Sequence, residues 1–466
     1  MTATTAFSPP TASASRSSGR APIARLTWLL ARPSAQSAAV LVLPGIAFAV
    51  TTALMLIVLG GGLMFSRWTL ADNADAAVYQ MLSVLALVLL LVPLASLGGA
   101  AARLSARRRD DRLATLRLLG ATPGVVTQMT VLESTAIAVL GSVAGIVLYL
   151  VAMPFVGLIP FGGAAIGAGE LWVGPGVLAL VVVAVAALAA ISAAIGLRQV
   201  TISPLGVRTR QSAPKMHWMR LVIGVVAILV AYLLLSSMAG IADMALTILV
   251  LGTGIGIGIG VLNLIGPWAL GIAAKLSLRR AKTAAQLIAA RGILESPKAA
   301  WRQVSGVAMT SFIAVVAGTG VAFVNTLTGD YDDATMLLLA DVRTGIIITV
   351  VMSFLMVACS VGVNQAATVL DRRDLYVSLD RLGMPREVIE SSRSRTVMGP
   401  LRFVAFGSAL IGAVLVLPLV GITIVIAPAS LLVIAGCLIG GVLLVWLSLK
   451  ATSPVLTRVL SQPERL

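Results

Sequence analysis

The sequence predicts an all-α integral membrane protein. It has ten transmembrane helices, arranged as two parallel four-helix blocks joined by two extra helices (4+2+4), with both termini inside the cell. Three observations predict it. Hydrophobic residues fill 59% of the 466 positions and charged residues only 11%, less than half of the roughly 25% that a soluble domain carries. Nine stretches free of Asp, Glu, Lys and Arg are long enough to cross a bilayer, which takes about 20 apolar residues, and the last is long enough to cross twice. Two charged segments between such stretches repeat one another at an offset of 263 residues.

The charge-free stretches are 33–66, 76–102, 134–169, 171–197, 221–242, 244–274, 303–329, 344–370 and 403–449. The last is interrupted by Pro418, Gly421 and Pro428 and reads as two helices with a short turn. Spans are therefore expected near residues 50, 90, 145, 185, 230, 258, 315, 355, 410 and 440. Residues 1–20 are rich in Ser, Thr and Ala, without the apolar core of a signal peptide, and read as a disordered tail. An amphipathic stretch follows, with Ile23, Leu26, Leu29 and Leu30 beside Arg25 and Arg32, suited to lie in the interface as an elbow before the first span. The domain boundaries expected are 1–34 for tail and elbow, 35–200 for the first block, 201–280 for the linking helices and 281–466 for a second elbow and block.

Charge sets the orientation. With the N-terminus inside, 32 of the 34 basic residues fall on the cytoplasmic side, leaving only Arg67 and Arg343 outside. Eight acids fall outside: Asp72, Asp75, Glu170, Asp243, Asp330, Asp332, Asp333 and Asp341. The net charge of +16 is thus accounted for by basic loops along an anionic inner leaflet, without nucleic acid. The longest outer loop, about 20 residues near 327–343, leaves no room for a folded outer domain.

The chemistry-bearing residues are few. His217 is the one histidine, which argues against a His-based metal site or a Ser-His-Asp triad. Cys359 and Cys437 lie in apolar runs and read as free thiols. No Gly-Lys dipeptide exists, so the chain has no P-loop. No catalytic constellation, metal site or cofactor site is expected, and the chain is not expected to be an enzyme. Asp330, Asp332 and Asp333 lack the remaining spaced ligands of a calcium loop and read as a solvated turn. Gly252, Gly256 and Gly260 share a helix face and suit close packing of the sixth span. Asn263 and Asn364 suit hydrogen bonds between helices.

The repeated segments are RRDDRLATLRLLGATPGVV, from Arg108 to Val126, and DRRDLYVSLDRLGMPREVI, from Asp371 to Ile389. Arg109 matches Arg372, Asp111 matches Asp374, and Gly120 matches Gly383. Each glycine suits a helix C-terminus. Pro123 or Pro385 can then start a short helix, on which Val125 and Val126, or Val388 and Ile389, would offer an apolar face to a protein partner. An even number of spans between the blocks makes the two repeats parallel.

The charged run, the L-R-L-L-G-A-T-P stretch and a span opened by Glu133 resemble the FtsX-like permease domain of ABC transporters of the macrolide-exporter and mechanotransmission type. The ten-span duplicated layout resembles bacitracin-resistance-type permeases, with the Asp-rich loop standing where those carry a large outer domain. Thr396 stands where Glu133 would align in the second copy. The resemblance implies a permease in a bacterial plasma membrane that binds a separate cytoplasmic ABC ATPase, two copies per permease. It would couple ATP hydrolysis to export or membrane extraction of an amphiphile (antibiotic, antimicrobial peptide or lipid), or to force transmission. The docking residues implied are Gly120, Thr122, Pro123, Val125, Val126, Gly383, Met384, Pro385, Val388 and Ile389. Flanking charges are Arg109, Asp111, Arg117, Glu133, Arg372 and Asp374, with Glu133 expected to pair with Arg112 or Arg117. Membrane lipids are the other partners expected. An ion-coupled secondary transporter is the alternative, disfavoured by parallel repeats and by spans without central charges.

Overall fold

The computed structural model describes residues 38–68, 75–107, 123–202, 219–237, 244–324, 333–426 and 428–461. These form fourteen helices and one small hairpin. The first block holds α1 (Ala38–Arg67), α2 (Ala76–Arg107), α3 (Pro123–Val156) and α4 (Gly174–Ile202). The linking helices are α5 (Met219–Ser236) and α6 (Met244–Arg279). The second part holds α7 (Ala284–Glu295), α8 (Pro297–Val324), α9 (Asp333–Asp371), α10 (Arg373–Arg381), α11 (Arg386–Leu415), α12 (Leu417–Ile426), α13 (Pro428–Ala451) and α14 (Ser453–Ser461). Among the described residues, ten segments are long and apolar enough to cross a membrane: α1 to α6, α8, α9, α11 and the run through α13.

In both blocks the first helix packs on the second and on the third, and the fourth packs on the second: α1 on α2 and α3 with α4 on α2, then α8 on α9 and α11 with α13 on α9. The blocks meet along a seam between α2 and α9. Leu90 and Leu97 face Met356 there, and the hydroxyls of Ser96 and Ser360 lie 3.1 Å apart. The linking helices pair with each other and stand against α8 and α11 of the second block.

Composition follows environment in reverse of a soluble protein. The span in α8 has a mean hydropathy of only 1.3 and is 72% buried, whereas the span in α4 reaches 2.8 and is 22% buried. Lipid requires apolar atoms; a helix enclosed by helices can carry Thr310 and Ser353, whose hydroxyls bond each other across α8 and α9. Close crossings rest on glycine. A Cβ on Gly145 of α3 would lie 2.5 Å from the Ala49 carbonyl oxygen of α1, and one on Gly141 would lie 2.7 Å from the Phe48 Cβ. Thr52 then reaches across to donate to Ser142 at 3.2 Å.

Three expectations are corrected. On α6, Gly252, Gly256 and Gly260 are exposed with open space about them. The packed glycines are Gly254, against Leu235 of α5, and Gly258, under the Phe312 ring of α8, because the inward face is set by the neighbouring helices and not by the longer glycine series. The final apolar run is two helices separated by a third, the 10-residue α12, and not by a turn. Residues 333–343 are the opening of α9 and not part of a loop. The expected bond of Asn263 is present: the Trp301 indole N–H of α8 donates to its Oδ1 at 3.1 Å.

Candidate functional site

Two regions at opposite ends of the bundle concentrate polar chemistry. At one end the α3–α4 connection folds into a hairpin, Pro160–Phe161 against Ala164–Ala165. Its turn residues Gly162 and Gly163 have φ of +63° and +78°, the paired left-handed conformation that a two-residue turn of this twist requires and that glycine adopts freely. Phe161 meets Phe65 edge-on, and Phe65 also packs with Trp68 and Tyr79. Arg67 donates to the Trp172 carbonyl at 3.0 Å, and Tyr149 to that of Leu171 at 2.5 Å.

Beneath this hairpin lies a cavity of about 430 Å³ between the blocks. Its walls come chiefly from late residues of α1 and α8 and early residues of α2 and α9, with Leu251 and Ile255 of α6, so α1 runs in the same direction as α8, and α2 as α9. The lining is almost wholly apolar, with Leu82, Leu89, Ile255, Val316 and Ile346 typical. Asp341 of α9 is the one carboxyl on it. It is only 5% exposed. Its Oδ2 accepts from the Tyr79 hydroxyl of α2 at 2.6 Å and from the Gly162 amide at 2.7 Å. One carboxyl therefore ties the hairpin and the first block to the second block. From the sequence Asp341 is one of eight acids expected outside, within the 327–343 stretch; the extension of α9 back to Asp333 places it buried in the bundle. The signal available was its position between Leu339, Ala340 and Val342, apolar neighbours uncharacteristic of a loop.

At the other end, α9 stops at Asp371 and α10 restarts at Arg373. Gly383 then ends α10 with φ +83°. Its N–H donates to the Asp380 carbonyl at 3.0 Å and that of Met384 to the Leu379 carbonyl at 3.0 Å, the two bonds of a Schellman cap. The glycine is thus where helix termination was expected. The short helix, however, lies before the glycine and not after the proline. Pro385 instead caps α11, a 30-residue spanning helix, and Pro123 likewise opens the 34-residue α3.

That difference relocates the apolar surface. Ile389 is 1% exposed, enclosed by Val369, Leu456 and Leu460, because the first turn of α11 packs on α14 and the end of α9. Val388 and Met384 are half-buried. The exposed apolar residues here are Leu375, 51% exposed, and Leu382, 82% exposed, at the tip of α10. Tyr376, Val377 and Leu379 on its other face pack inward. Burial pushes the Tyr376 phenol above its ordinary range, with Arg372 and Arg393 pulling the other way. Arg372 precedes α10 and Asp374 in its first turn pairs with Arg373 at 3.3 Å. Arg386 pairs with Asp380 at 3.7 Å, joining α11 to α10. Buried Arg393 donates to Thr452 at 2.9 Å and pairs with Glu390 at 3.6 Å, fixing α11 to the α13–α14 junction. In the sequence Arg393 is one of the 32 basic residues expected on the cytoplasmic side, with nothing to mark it as buried.

In the first copy, Pro123, Val125 and Val126 form the first turn of α3, with Val125 39% exposed. Glu133 lies two turns further on, half-buried. Arg109, Asp111, Arg112, Arg117, Gly120 and Thr122 lie outside the described residues. Among the described residues no group of three or more His, Cys, Asp or Glu side chains is placed to hold a metal.

Residues 101–205 match the FtsX-like permease C-terminal family. The FtsX-like segment runs from the end of α2 through the repeated charged segment, α3, the hairpin and α4. It covers Pro123, Val125, Val126 and Glu133, and the hairpin whose Gly162 amide donates to Asp341. No match is found among curated proteins. With ten spanning-length apolar helices around an FtsX-like segment, the chain is a multi-pass membrane protein.

Proposed function

We propose that this chain is the permease subunit of an ABC transporter in a bacterial plasma membrane. A separate cytoplasmic ATPase, two copies per permease, would drive export or membrane extraction of an amphiphile. The observation that carries this is the FtsX-like segment over residues 101–205. The α10 end faces the cytoplasm and the hairpin end faces outward, as the basic loops require. The two blocks are parallel repeats. In support, Tyr79 bonds Asp341 and Ser96 meets Ser360 across the seam, at separations of 262 and 264 residues. A pseudo-two-fold axis along the seam would bring repeats offset by 263 residues into such contacts. The ATPase docks on the tip of α10 around Leu375, Leu382 and Gly383, and on the corresponding first-block segment ending at Pro123, Val125 and Val126. The amphiphile's apolar part occupies the inter-block cavity, and its polar group meets Asp341.

Gentle purification from native membranes tests this. A P-loop ATPase at two copies per chain is expected. A chain that purifies alone from membranes still active in transport would overturn the proposal.

The buried Asp341 favours a second reading, an ion-coupled transporter, since an ionisable group among spans commonly marks an ion path. Transport abolished by collapsing the ion gradient, and unaffected by ATP depletion, would establish it in place of the first.

A further inference from the structure

The α10 end contains a second cavity of about 670 Å³, open to the surface and bordered by α6, α7, α11 and Trp446 of α13. It lies apart from both the inter-block cavity and the α10 tip. Three arginines line it: Arg280 just beyond α6, and Arg395 and Arg402 on α11. Seven residues separate the last two, so they share a helix face about 10 Å apart in rise. No carboxylate lines the cavity. Among the described residues no acid lies within ion-pair distance of any of the three; Glu390, the nearest acid in sequence to Arg395, pairs with Arg393. The remaining polar groups are neutral: Ser277, Gln286, Ser391 and Ser394. Arg395 spends its Nε–H on Ser391 at 3.3 Å and keeps its terminal nitrogens.

The rest of the wall is apolar. Leu270 and Ala274 lie one to three turns before Arg280 on α6, and Phe403, Trp446 and Ile293 complete that side. One wall is α7, whose Ala289, Ala290 and Ile293 are buried while Leu287 and Ile288 stay exposed, as on a helix lying in the interface. The cavity thus sets three guanidinium groups, with no acid at ion-pair distance among the described residues, beside an apolar wall. Guanidinium forks match phosphate oxygens, and basic pockets between spanning helices on the cytoplasmic side recognise anionic headgroups. We infer that this cavity binds one anionic phospholipid, its phosphate on Arg280, Arg395 and Arg402 and its acyl chains along Leu270, Phe403 and Trp446. Free phosphate would share the arginines but leave the apolar wall unused. The inference is independent of ATPase docking.

The test is native mass spectrometry of the full chain, delipidated in detergent and titrated with phosphatidylglycerol, phosphatidylcholine or inorganic phosphate. Phosphatidylglycerol should bind at one saturable site, phosphatidylcholine should not, and millimolar phosphate should not displace the lipid. Two variants attack the site differently. R395Q/R402Q removes charge and should weaken phosphatidylglycerol binding about thirtyfold. G399L fills space: Gly399 lines the cavity and a Cβ there meets nothing within 4 Å, so the side chain enters the cavity without displacing backbone. It should weaken binding with all three arginines intact. Undiminished lipid binding in both variants, equal binding of phosphatidylcholine, or displacement by inorganic phosphate would each overturn the inference.

Discussion

The proposed docking on α10 makes a quantitative prediction that separates two neighbouring sets of apolar residues. Leu375 and Leu382 are 51% and 82% exposed, and Ile389 is 1% exposed. Covering a leucine fully contributes about 1.5–3 kcal/mol. Scaled by what remains uncovered, the two leucines together can contribute about 2–4 kcal/mol to a partner. L375A/L382A should therefore weaken ATPase binding by about 30- to 1000-fold and leave thermal stability nearly unchanged. I389A should do the reverse. It removes a buried side chain between Val369, Leu456 and Leu460, at a cost of about 2–5 kcal/mol. The assay pairs a binding titration, using the ATPase that co-purifies and the full chain in nanodiscs, with a thermal unfolding curve on the same samples. If I389A released the ATPase without loss of stability while L375A/L382A bound normally, the assignment of faces on this platform would be refuted.

Two further outcomes follow from the packing. G145L should lower expression and unfolding temperature sharply, because a Cβ there already lies 2.5 Å from the Ala49 carbonyl oxygen, whereas G256L on the exposed face of α6 should be tolerated. An unfolding midpoint equally affected by both would contradict the crossing described. For orientation, a cysteine replacing exposed Leu158 beside the hairpin should react with a membrane-impermeant maleimide on intact cells, and one replacing Leu382 only after lysis. The opposite pattern would invert the topology.

The ten spans were legible because bilayer thickness imposes a length and lipid imposes apolarity, and both are properties of local sequence. Gly383 was legible for a similarly local reason: a left-handed residue is needed to end α10. What was hidden depends on which face each helix turns inward. Gly252, Gly256 and Gly260 form the longer series, yet Gly254 and Gly258 meet Leu235 and Phe312. In a lipid-surrounded helix both faces are apolar, so periodicity carries little information about burial. The same loss concealed Asp341 and Arg393. Asp341 stands just before a charge-free run, with apolar neighbours as the one local hint, and Arg393 stands in a segment dense in charges; their partners Tyr79, Gly162 and Thr452 come from distant segments.

One helix, α9, carries both Asp341 and the base of the α10 platform, and this bears on how the proposed cytoplasmic ATPase would act on the outer side. At 39 residues, α9 extends about 58 Å, well beyond the roughly 30 Å hydrocarbon core. Near its start, Asp341 holds the hairpin and α2. Along its middle it forms the seam with Leu90 and Leu97. At its end, Val369 packs on Ile389, Leu456 and Leu460 beneath the α10 platform. Arg386 joins α10 to α11, and Arg393 ties α11 to the α13–α14 junction, so a displacement of α10 bears on the base of α11. The seam itself is mostly apolar, with the Ser96–Ser360 contact as a polar bridge along it. The apolar contacts of the seam are non-directional, whereas the two hydrogen bonds on Asp341 either form or break. On the proposed function, a push on α10 is therefore carried along α9 and concentrated at Asp341. Separation of the blocks there would open the inter-block cavity toward the outside, at the hairpin end and not along its length.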